Sequence, residues 1–471
     1  MNALNYSRTY IEFSIGLDDT DSLQGMCTTY LGTKIFFHLV KTETLIEICQ
    51  FPYLIRHNPN VPNRTKGNGS VVIKGKIDTG MISWLQTTVL MLFNNYAQIQ
   101  DENTNPGLVI WYGAITKELM KFSKQTLWDI IDNKEVDQFL KLRNVFYYYP
   151  KAKNGLIGSF AGIGTNLDSE DHTYELLVYR NPPYTKKRIG ANYDKIKEVD
   201  EEKFNVFNCI DKEIDSIKII PKGLDPVYCG IRGDNPKDVM EYWKEIQPQP
   251  APELVMIFKT NQGTDAHLNT TPIQSLGHPK LSAHKVVNIK CKVKSNPKIE
   301  IGGHVHFEIS DENGKVISCY AYEPTKAFRS IILELIKGDE LEIGGNIRPA
   351  NNEFPETLNV EKLKILDLTK KIKVMNPICT NCGRRMESAG KDQPFRCKKC
   401  KIYLNKSENI IKKEIMRNLE TKIYLPTIDA QRHLTKPYKR IYRKKTKNHK
   451  EINTQFWLSE IITYNNSLKP K

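Results

Sequence analysis

The residues best suited to chemistry are concentrated between Ile15 and Leu31, where the sequence reads IGLDDTDSLQGMCTTYL. Three carboxylates stand there, on Asp18, Asp19 and Asp21. Four hydroxyl side chains accompany them: Thr20, Ser22, Thr28 and Thr29. Because neighbouring carboxylates repel one another, such a group is typical of a site for a hard divalent cation such as Mg²⁺. The stretch therefore predicts a magnesium site.

The elements on either side place this group at the end of a strand. Upstream, alternate positions are apolar, as in a strand: Ile11, Phe13, Ile15 and Leu17. Downstream, apolar residues recur at every fourth position, as on a helix: Cys27, Leu31, Ile35 and Leu39. A strand-to-helix connection at the carboxyl end of a strand is a usual ligand position in α/β sheets, and the first N–H groups of the helix suit a phosphate.

The same residue types also have an ordinary structural use. Asp, Ser and Thr are common in turns and at helix N-caps, and Gly25 interrupts the segment as a turn residue does. The acidic group alone therefore leaves two interpretations open, a metal site and a capped helix.

The composition indicates a multidomain protein with an anionic partner. At 471 residues the chain is too long for one core, and three or four domains are expected. The net charge of +15 favours nucleic acid over a membrane surface, since no apolar run approaches the length of a membrane span. The first residues lack a signal-peptide pattern, so we expect a cytoplasmic protein. Ten cysteines, four of them in CxxC pairs, favour metal binding over disulfides.

A basic loop follows the first helix, in the segment RHNPNVPNRTKGNGSVVIKG at 56–75. Arg64, Lys66 and Gly67 belong to a flexible stretch that can approach phosphates closely. It is not a Walker A loop, because the glycine spacing differs and Ile77 stands where Ser or Thr is needed. An ordinary exposed loop is the alternative interpretation.

The next part of the chain favours an α+β unit at 105–199. NPGLVIWYGAI and YELLVYR are strand-like, and a helix is predicted at Thr126–Leu142. The order strand–helix–helix–strand favours a ferredoxin-like domain. Gly155–Gly164, which reads GLIGSFAGIG, has the wrong spacing for a dinucleotide fingerprint and instead predicts close helix packing.

The second half changes to short strands and ends in a metal motif. From Lys285, three strands, a helix and two strands follow the order of an OB fold, which often binds single-stranded nucleic acid. Two CxxC knuckles then predict a closed, structural zinc ribbon with the ligands Cys379, Cys382, Cys397 and Cys400. The basic tail favours RNA contact over a merely solvated segment. The cations concerned are Lys436, Lys439, Arg440, Arg443, Lys444 and Lys445.

Several motifs stand in the same order as in the archaeal tRNA agmatinylcytidine synthetases, a family that the chain resembles over essentially its whole length. They are IGLDDTDS, RHNPNVPNRTKGNG, GLIGSFAGIG, TYELLVYR, GIRGD, TNQGTDAHL, GGHVHFEI, NPICTNCG and AQRHLTKP. The resemblance implies an ATP-dependent ligase that joins agmatine to C2 of the wobble cytidine of the isoleucine tRNA with the CAU anticodon. A phosphorylated cytidine is the implied intermediate. The product, 2-agmatinylcytidine, changes codon reading from AUG to AUA.

The resemblance also implies the architecture. The fold class is multidomain α/β and α+β, with a kinase-like α/β catalytic domain, a ferredoxin-like domain, an OB-fold β-barrel and a zinc ribbon. The expected segments are 1–104 for the catalytic domain (completed by 200–247), 105–199 for the ferredoxin-like domain, 248–284 for a linker and polar segment, 285–372 for the OB fold, 373–405 for the ribbon and 406–471 for a basic, RNA-binding segment.

Site residues follow from the matched motifs. By resemblance, Asp18, Asp19 and Asp21 hold Mg²⁺, and Thr28 matches a threonine that is autophosphorylated. The expected contacts of ATP and its phosphates are Thr20, Ser22, Gly25, Thr29, Arg64, Lys66 and Gly67. Agmatine is a dication whose pocket needs carboxylates. The candidates are Glu175, Asp225 and Asp265. ATP, Mg²⁺, structural Zn²⁺, the co-substrate agmatine and tRNA are thus the expected ligands; the oligomeric state stays open.

Two other functions are compatible with parts of the sequence. A non-catalytic tRNA-binding protein would use the OB fold, ribbon and tail, but it leaves the acidic group without a role. A metal-dependent RNA nuclease would use the same carboxylates without ATP. The enzyme interpretation also predicts a division of labour, in which a chain ending before Lys285 keeps ATP turnover and loses tRNA affinity.

Overall fold

The computed structural model describes residues 8–41, 46–48, 50–62, 64, 67–180, 193–199, 204–221, 223, 225–246, 252–352, 355–388, 390, 393–405, 409–442 and 454–468. Within these ranges, no helix has both the length and the apolar character that a bilayer crossing requires.

The first half of the chain is built on a large mixed sheet. Its strands, in chain order, are β1 (Tyr10–Asp18), β2 (Ile46–Glu47), β3 (Tyr53–Arg56), β4 (Gly69–Asp78), β5 (Gly107–Tyr112), β6 (Val145–Tyr148), β7 (Thr173–Tyr179), β8 (Val206–Phe207), β9 (Ile210–Asp211), β10 (Ser216–Ile217), β11 (Val227–Gly233) and β12 (Leu254–Thr260). The order across the sheet is β6-β5-β1-β4-β3-β12-β7-β11-β8, with β2 also on β4, while β9 and β10 pair separately. The sheet thus runs through the domain boundary predicted at residue 104.

The first half also contains helices, most of which cover this sheet. They are α1 (Thr28–Val40), α2 (Ile82–Tyr96), α3 (Lys117–Gln125), α4 (Asp137–Leu140), α5 (Asn154–Gly164), α6 (Tyr193–Glu198), α7 (Pro236–Ile246) and α8 (Ala266–Thr270), with 3₁₀ turns at Thr79–Met81 and Asn133–Val136. The helix predicted at Thr126–Leu142 is present only in part, as the 3₁₀ turn and α4, which together span 133–140. The structure has α3 earlier, because the Thr116 hydroxyl accepts a hydrogen bond from the N–H of Leu119 and begins the helix there.

Both faces of β1 are covered, which fixes the position of the acidic group at its end. Phe13, Ile15 and Leu17 face a core that includes residues of α1 and α2, as their alternation predicted. On the other face, α5 lies so close that a Cβ on Gly16 would be 2.4 Å from the carbonyl oxygen of Ser159. The glycine-rich segment is therefore a packing helix, which confirms the prediction.

A closed five-stranded barrel follows. Its strands are β13 (Val286–Val293), β15 (Val305–Asp311), β16 (Val316–Ala321), β17 (Glu340–Arg348) and β18 (Thr357–Asp367), with the short β14 (Lys298–Ile299) at one edge. A 3₁₀ turn at Glu323–Thr325 and helix α9 (Ala327–Leu333) lie between the third and fourth barrel strands. Strands β13 and β15 close the ring, and β16 pairs with β18 in parallel. This topology confirms the predicted OB fold.

The zinc ribbon is carried on a two-stranded arm. The arm consists of β19 (Lys371–Met375) and β23 (Ile411–Ile415), which pair in antiparallel register. The ribbon between them contains β20 (Glu387–Ser388), β21 (Phe395–Arg396) and β22 (Tyr403–Leu404). Because both arm strands leave the barrel together, the ribbon projects as an insertion.

After the ribbon, the chain returns to the first sheet. Strand β24 (Ile423–Tyr424) pairs with β18, and the segment 425–442, called here the C-terminal strap, includes a 3₁₀ turn at Ile428–Ala430 and helix α10 (Tyr438–Ile441). Helix α11 (Thr454–Ser467) then packs its residues Leu458 and Ile461 into the main core of the first half. The C-terminal segment is thus part of the same half of the molecule as the acidic group.

Candidate active site

The three aspartates lie where the sequence placed them, at the carboxyl end of β1. Asp18 is the last strand residue, and Asp19 adopts a left-handed conformation with φ of 51° that turns the chain. The carboxylate of Asp19 accepts a hydrogen bond of 2.7 Å from the N–H of Asn105. The hydroxyl of Thr104 donates to the carbonyl oxygen of Asp21 at 2.8 Å. The β5 side of the sheet therefore holds the acidic turn in place.

The helix-cap interpretation of these acids is wrong. Helix α1 begins at Thr28, its N-cap is Cys27, and no side chain makes a capping hydrogen bond there. The Ser22 hydroxyl instead accepts from the N–H of Gln24 inside its own turn. The N-cap position of α1 therefore belongs to Cys27 and to none of the acidic residues or Ser22.

The hydroxyl of Thr28 is placed beside this turn. The hydroxyl of Thr20 donates to Thr28 Oγ1 at 3.1 Å, so the proton of the Thr28 hydroxyl is left to point elsewhere. Thr28 and Thr29 both line the cavity described below, at the positive end of α1. Thr20, Ser22 and Gly25 lie behind them: all three are buried, and Ser22 and Gly25 exchange backbone hydrogen bonds.

The charged form of Asp18 is unfavourable in its surroundings. Burial, and after it the negative charges of Asp19 and Asp21, raise the pKa of Asp18 well above its ordinary value. Its carboxylate lies against α5, where a Cβ on Gly158 would be 1.9 Å from Oδ2. Only glycine at 158 leaves room for this carboxylate. Such a donor set fits a divalent cation, since a cation would relieve the repulsion among the three carboxylates.

A cavity of about 880 Å³ opens beside the acidic turn. The predicted site residues that line it are Asp18, Asp19, Asp21, Thr28, Thr29, Arg64, Gly67, Glu175 and Asp225. Lys66 was also predicted to contact phosphate, but it lies outside the described residues. The cavity is large enough for a nucleotide and a second small substrate.

The cavity also has a basic wall that the sequence analysis did not assign. Arg56, Arg232 and His433 line it together with Arg64, and they come from β3, β11 and the C-terminal strap. Arg56 belongs to the basic loop segment, and Arg232 and His433 belong to motifs shared with the family. The sequence alone does not show what a single cation in such a motif contacts. The motifs GIRGD and AQRHLTKP were the only signal for them.

Arg56 is fixed by its backbone while its side chain stays partly unsatisfied. Asn261 accepts from the N–H of Arg56 at 2.8 Å and donates to its carbonyl oxygen at 2.9 Å. One guanidinium nitrogen donates to the carbonyl oxygen of Gly67 at 2.6 Å, whereas Nε is buried and, among the described residues, makes no hydrogen bond. Burial lowers the pKa of Arg56 from its ordinary value. A buried cation with an unused donor fits an anionic ligand such as phosphate.

Glu175 and Asp225 belong to the same cavity. The carboxylate of Glu175 accepts from Arg232 Nε at 3.0 Å and from the side-chain amide of Gln262. Asp225 is positioned by the turn after residue 223, where its carbonyl oxygen accepts two hydrogen bonds from the guanidinium of Arg180. Glu175 is therefore a carboxylate that the protein itself neutralises, and Asp225 is anchored through its backbone with its side chain on the cavity wall.

Asp265 lies apart from the cavity. It is only 2% exposed, and its carboxylate binds Lys362 of the barrel and the N–H of Lys436 of the strap. The residue joins three parts of the chain. In the structure it is a junction residue, placed away from the lining to which the agmatine prediction would assign it.

The described cations of the tail bind protein groups. Lys436 pairs with Asp171 at 2.8 Å, and Arg440 bridges Asp171 and Asp234 at 2.7 and 2.8 Å. Lys439 donates to a carbonyl oxygen of β8. Arg443, Lys444 and Lys445 lie outside the described residues. The strap uses its charge to dock on the first sheet, so RNA contact by the tail stays a prediction.

The four cysteines of the ribbon converge as predicted. The sulfur atoms of Cys379, Cys382, Cys397 and Cys400 all lie within 4.8 Å of one another. The sulfur atoms of Cys382 and Cys397 are 3.5 Å apart, close to the edge of a tetrahedron with metal–sulfur distances of about 2.3 Å. This is a structural zinc-ribbon geometry, far from the acidic turn along the chain.

Comparison with known proteins agrees with this organisation. Three family models match the chain: the TiaS TCKD domain at residues 14–151, the TiaS FLD domain at 153–267 and the TiaS C-terminal zinc ribbon domain at 376–419. The boundary between the first two matched domains lies at 151–153, whereas the boundary predicted from the sequence was at residue 104. The acidic turn thus falls in the first matched domain, and Glu175 and Arg232 fall in the second.

Relatives match along nearly the whole chain. The isoleucine-tRNA 2-agmatinylcytidine synthetase TiaS of Archaeoglobus fulgidus is 36% identical over 436 residues, which cover 90% of this chain and 96% of the relative. A crystal structure of TiaS in complex with its isoleucine tRNA and ATP is similar with a TM-score of 0.79 and 32% identity, covering 93% of this chain and 99% of that one. A complex of TiaS with the tRNA, AMPCPP and agmatine gives 0.77 and 29%, covering 94% and 100%.

Proposed function

The chain belongs to the family of isoleucine-tRNA 2-agmatinylcytidine synthetases, and we propose that it joins agmatine to C2 of the wobble cytidine of the isoleucine tRNA that reads AUA, in an ATP-dependent reaction. The observation that carries the proposal is a single cavity that combines an acidic wall, formed by Asp18, Asp19 and Asp21, with the basic wall and the hydroxyl of Thr28. These are the parts that phosphoryl transfer needs.

The chemistry begins with a poor electrophile. The C2 carbonyl oxygen of cytosine attacks a phosphorus atom of ATP, and the bond from that phosphorus to its leaving oxygen breaks. The primary amine of agmatine then attacks C2, loses a proton, and displaces the oxygen together with the phosphoryl group. The displaced oxygen leaves as phosphate and 2-agmatinylcytidine is formed, while attack of water on the remaining phosphoanhydride bond of ATP gives AMP and a second phosphate. Phosphorylation therefore supplies the leaving group that the carbonyl lacks.

Each wall of the cavity has a part in this reaction. Asp18, Asp19 and Asp21 would hold Mg²⁺, which neutralises phosphate charge when bound. Arg56 and Arg232 bind the phosphate oxygens from the basic wall and stabilise the charge that moves during transfer.

Thr28 is the proposed phosphate acceptor within the protein. Its hydroxyl lies at the first residue of α1, where the helix dipole favours negative charge. Asp225 and Glu175, which both line the cavity, are the proposed partners of the positive ends of agmatine, and Glu175 also pairs with Arg232. Asp265 is assigned a structural part instead.

The OB barrel and the ribbon are proposed to hold the tRNA. The proposed location of the protein is the cytoplasm, where tRNA and ATP are found. The rings of Tyr320 and Tyr322 stack on β16 and just beyond it with centroids 6.0 Å apart, and the ring of His306 lies 4.9 Å from that of Tyr320. The guanidinium of Arg348 lies 5.4 Å from the ring of Tyr322. Stacked rings beside a guanidinium suit unpaired bases.

The decisive experiment is mass spectrometry of the nucleosides of the cognate tRNA after incubation with the full chain, ATP, Mg²⁺ and agmatine. The expected result is a cytidine that has gained one agmatine and lost one water, only when all components are present. Cleavage of the tRNA without ATP would instead support the nuclease. Tight tRNA binding with unmodified cytidine would support the non-catalytic binding protein.

A further inference from the structure

His433 reaches the cavity from the far end of the chain. The C-terminal strap lies along the segment after β12, where the N–H of Gly263 donates to the carbonyl oxygen of His433 at 2.9 Å. The N–H of Asp265 donates to the carbonyl oxygen of Leu434 at 2.7 Å. These backbone hydrogen bonds, with that from Lys436 to Asp265, fix the strap at the cavity wall.

The hydrogen bonds of the ring identify its protonated nitrogen. A guanidinium nitrogen of Arg232 lies 2.9 Å from Nδ1 of His433, and because arginine can only donate, Nδ1 must accept. In a neutral imidazole the proton then sits on Nε2. Nε2 faces the loop of Gly67, and a Cβ atom added to Gly67 would lie 3.3 Å from it.

The surroundings keep the ring neutral. The guanidinium of Arg56 first, then partial desolvation of the ring by the surrounding protein and the charges of Arg232, Arg64 and Arg432 lower the pKa of His433 well below its ordinary value. Arg432 itself pairs with Glu361 of the barrel at 3.1 Å. His433 thus offers an N–H donor among cations without adding a further charge to them.

A merely structural histidine would not need this arrangement. The strap is already held by backbone hydrogen bonds and by the ion pairs of Lys436 and Arg440. The ring is solvent-accessible at the cavity and stands beside Arg56, whose buried Nε has no partner among the described residues. Arg56 Nε and His433 Nε2 are thus two neighbouring N–H donors for which the described part of the chain shows no acceptor, and this indicates one anionic ligand.

We propose that His433 is a nucleotide-contacting residue, whose Nε2–H donates to a phosphate oxygen while its Nδ1 orients Arg232. The C-terminal strap therefore completes the phosphate site of the first half. This inference rests on the proposed function only in that the anion is the phosphate chain of ATP.

The test uses the full chain with two substitutions that separate the ring nitrogens. His433→Gln keeps an amide N–H at the distance of Nε2, whereas His433→Asn reaches only as far as Nδ1. The control is Gln431→Ala, a change on the same strap at a residue that does not line the cavity. It removes the hydrogen bonds of that side chain to the carbonyl oxygen of Pro426 and to Asn208.

The measurements are the KM for ATP at saturating tRNA and agmatine, and binding of the analogue AMPCPP by calorimetry. Because it loses a hydrogen bond to a charged group, His433→Asn is expected to raise the KM for ATP and the dissociation constant of AMPCPP about tenfold or more. His433→Gln and Gln431→Ala are expected to stay within about threefold. The KM for agmatine should change little in all three.

Two results would overturn the proposal. One is unchanged AMPCPP binding by His433→Asn. The other is equal weakening by His433→Asn and His433→Gln with a common fall in melting temperature, which a structural role would give. Failure of the proposed function is a different result, because the unmodified chain would then bind AMPCPP without incorporating agmatine.

Discussion

The acidic turn holds partly buried carboxylates and the junction between the barrel and the ribbon arm holds a fully buried one, and the two regions differ in whether a counter-charge accompanies the carboxylate. At the junction, fully buried Asp339 accepts from Arg417 at 2.5 and 2.8 Å and from the N–H groups of Ile336 and Thr369 at 2.8 Å each. At the turn, Asp18 faces two further carboxylates. Compensated charge fastens parts of the fold, and a carboxylate that repels its neighbours is suited to a ligand.

The largest expected effect tests the acidic turn. Asp18→Asn should lower ATP-dependent agmatine incorporation at least about a hundredfold, since it removes a ligand and a charge at the phosphates. The melting temperature without added Mg²⁺ should stay the same or rise. The raised pKa of Asp18 means that the folded state favours its protonated form. The stability that the protonated group contributes is therefore fully present below the ordinary Asp pKa and is lost as the pH rises towards the raised one.

The difference in melting temperature between the wild type and Asp18→Asn therefore has a predictable direction. From about pH 4 upwards, the wild-type chain should lose stability relative to Asp18→Asn, because the folded state resists ionisation of the carboxyl group while the unfolded chain ionises freely. An Asp18→Asn protein that melts far below the wild type at neutral pH would show that this carboxylate is compensated after all, and the contrast with Asp339 would fail.

The next effect tests the compensated side. Asp339→Ala leaves Arg417 buried without a counter-ion, so the free energy of unfolding of the barrel should fall by about 3–5 kcal/mol. Urea unfolding followed through the barrel measures it. Binding of AMPCPP by the folded protein should be retained, because Asp339 is not among the residues that line the cavity. Loss of AMPCPP binding without loss of stability would contradict the structural assignment.

A smaller effect separates two carboxylates that the sequence treated alike. Asp225→Asn should raise the KM for agmatine about tenfold through loss of a charge-assisted contact. Asp265→Asn should leave that KM nearly unchanged and lower the melting temperature, because Lys362 loses its partner. Steady-state kinetics beside thermal denaturation of both variants decides the matter. The reverse pattern would restore Asp265 as the agmatine residue.

The smallest effect is at an exposed ion pair on the arm. Lys370 and Glu414 pair at 3.1 Å with side chains 74% and 46% exposed. Glu414→Gln should change the free energy of unfolding by less than about 1 kcal/mol, because water screens the pair. Urea unfolding measures it, with zinc content as a check that the ribbon is intact. A loss of unfolding free energy comparable to that of Asp339→Ala would mean that solvent exposure does not determine how much these ion pairs stabilise the protein.

The division of labour expected from the sequence is changed by the strap. A chain ending before Lys285 would lack His433, which lines the cavity, and α11, whose Leu458 and Ile461 belong to the main core. We now expect such a chain to lose ATP turnover as well as tRNA affinity. The sequence suggested a separable basic tail because its cations have no visible partners along the chain.

Local features were predictable where spacing along the chain decides them. The alternation of β1, the barrel order and the convergence of the four cysteines were predicted correctly, because strand pleat, turn position and metal geometry repeat over short distances. The helix predicted at Thr126–Leu142 was too long, because α3 begins at the Thr116 cap and ends at Gln125, and the chain becomes helical again only at 133–140.

By itself, the sequence determined the acidic turn after β1, the packing glycines, the OB order, the zinc ligands and the family. Only the tertiary structure decided which charges meet. Arg232 and His433 are 201 positions apart and share a hydrogen bond, and Asp265, whose motif shows no partner along the chain, pairs with the barrel. The physical reason is that a charge takes its role from the groups that pack against it, and pairing of distant strands brings those groups together.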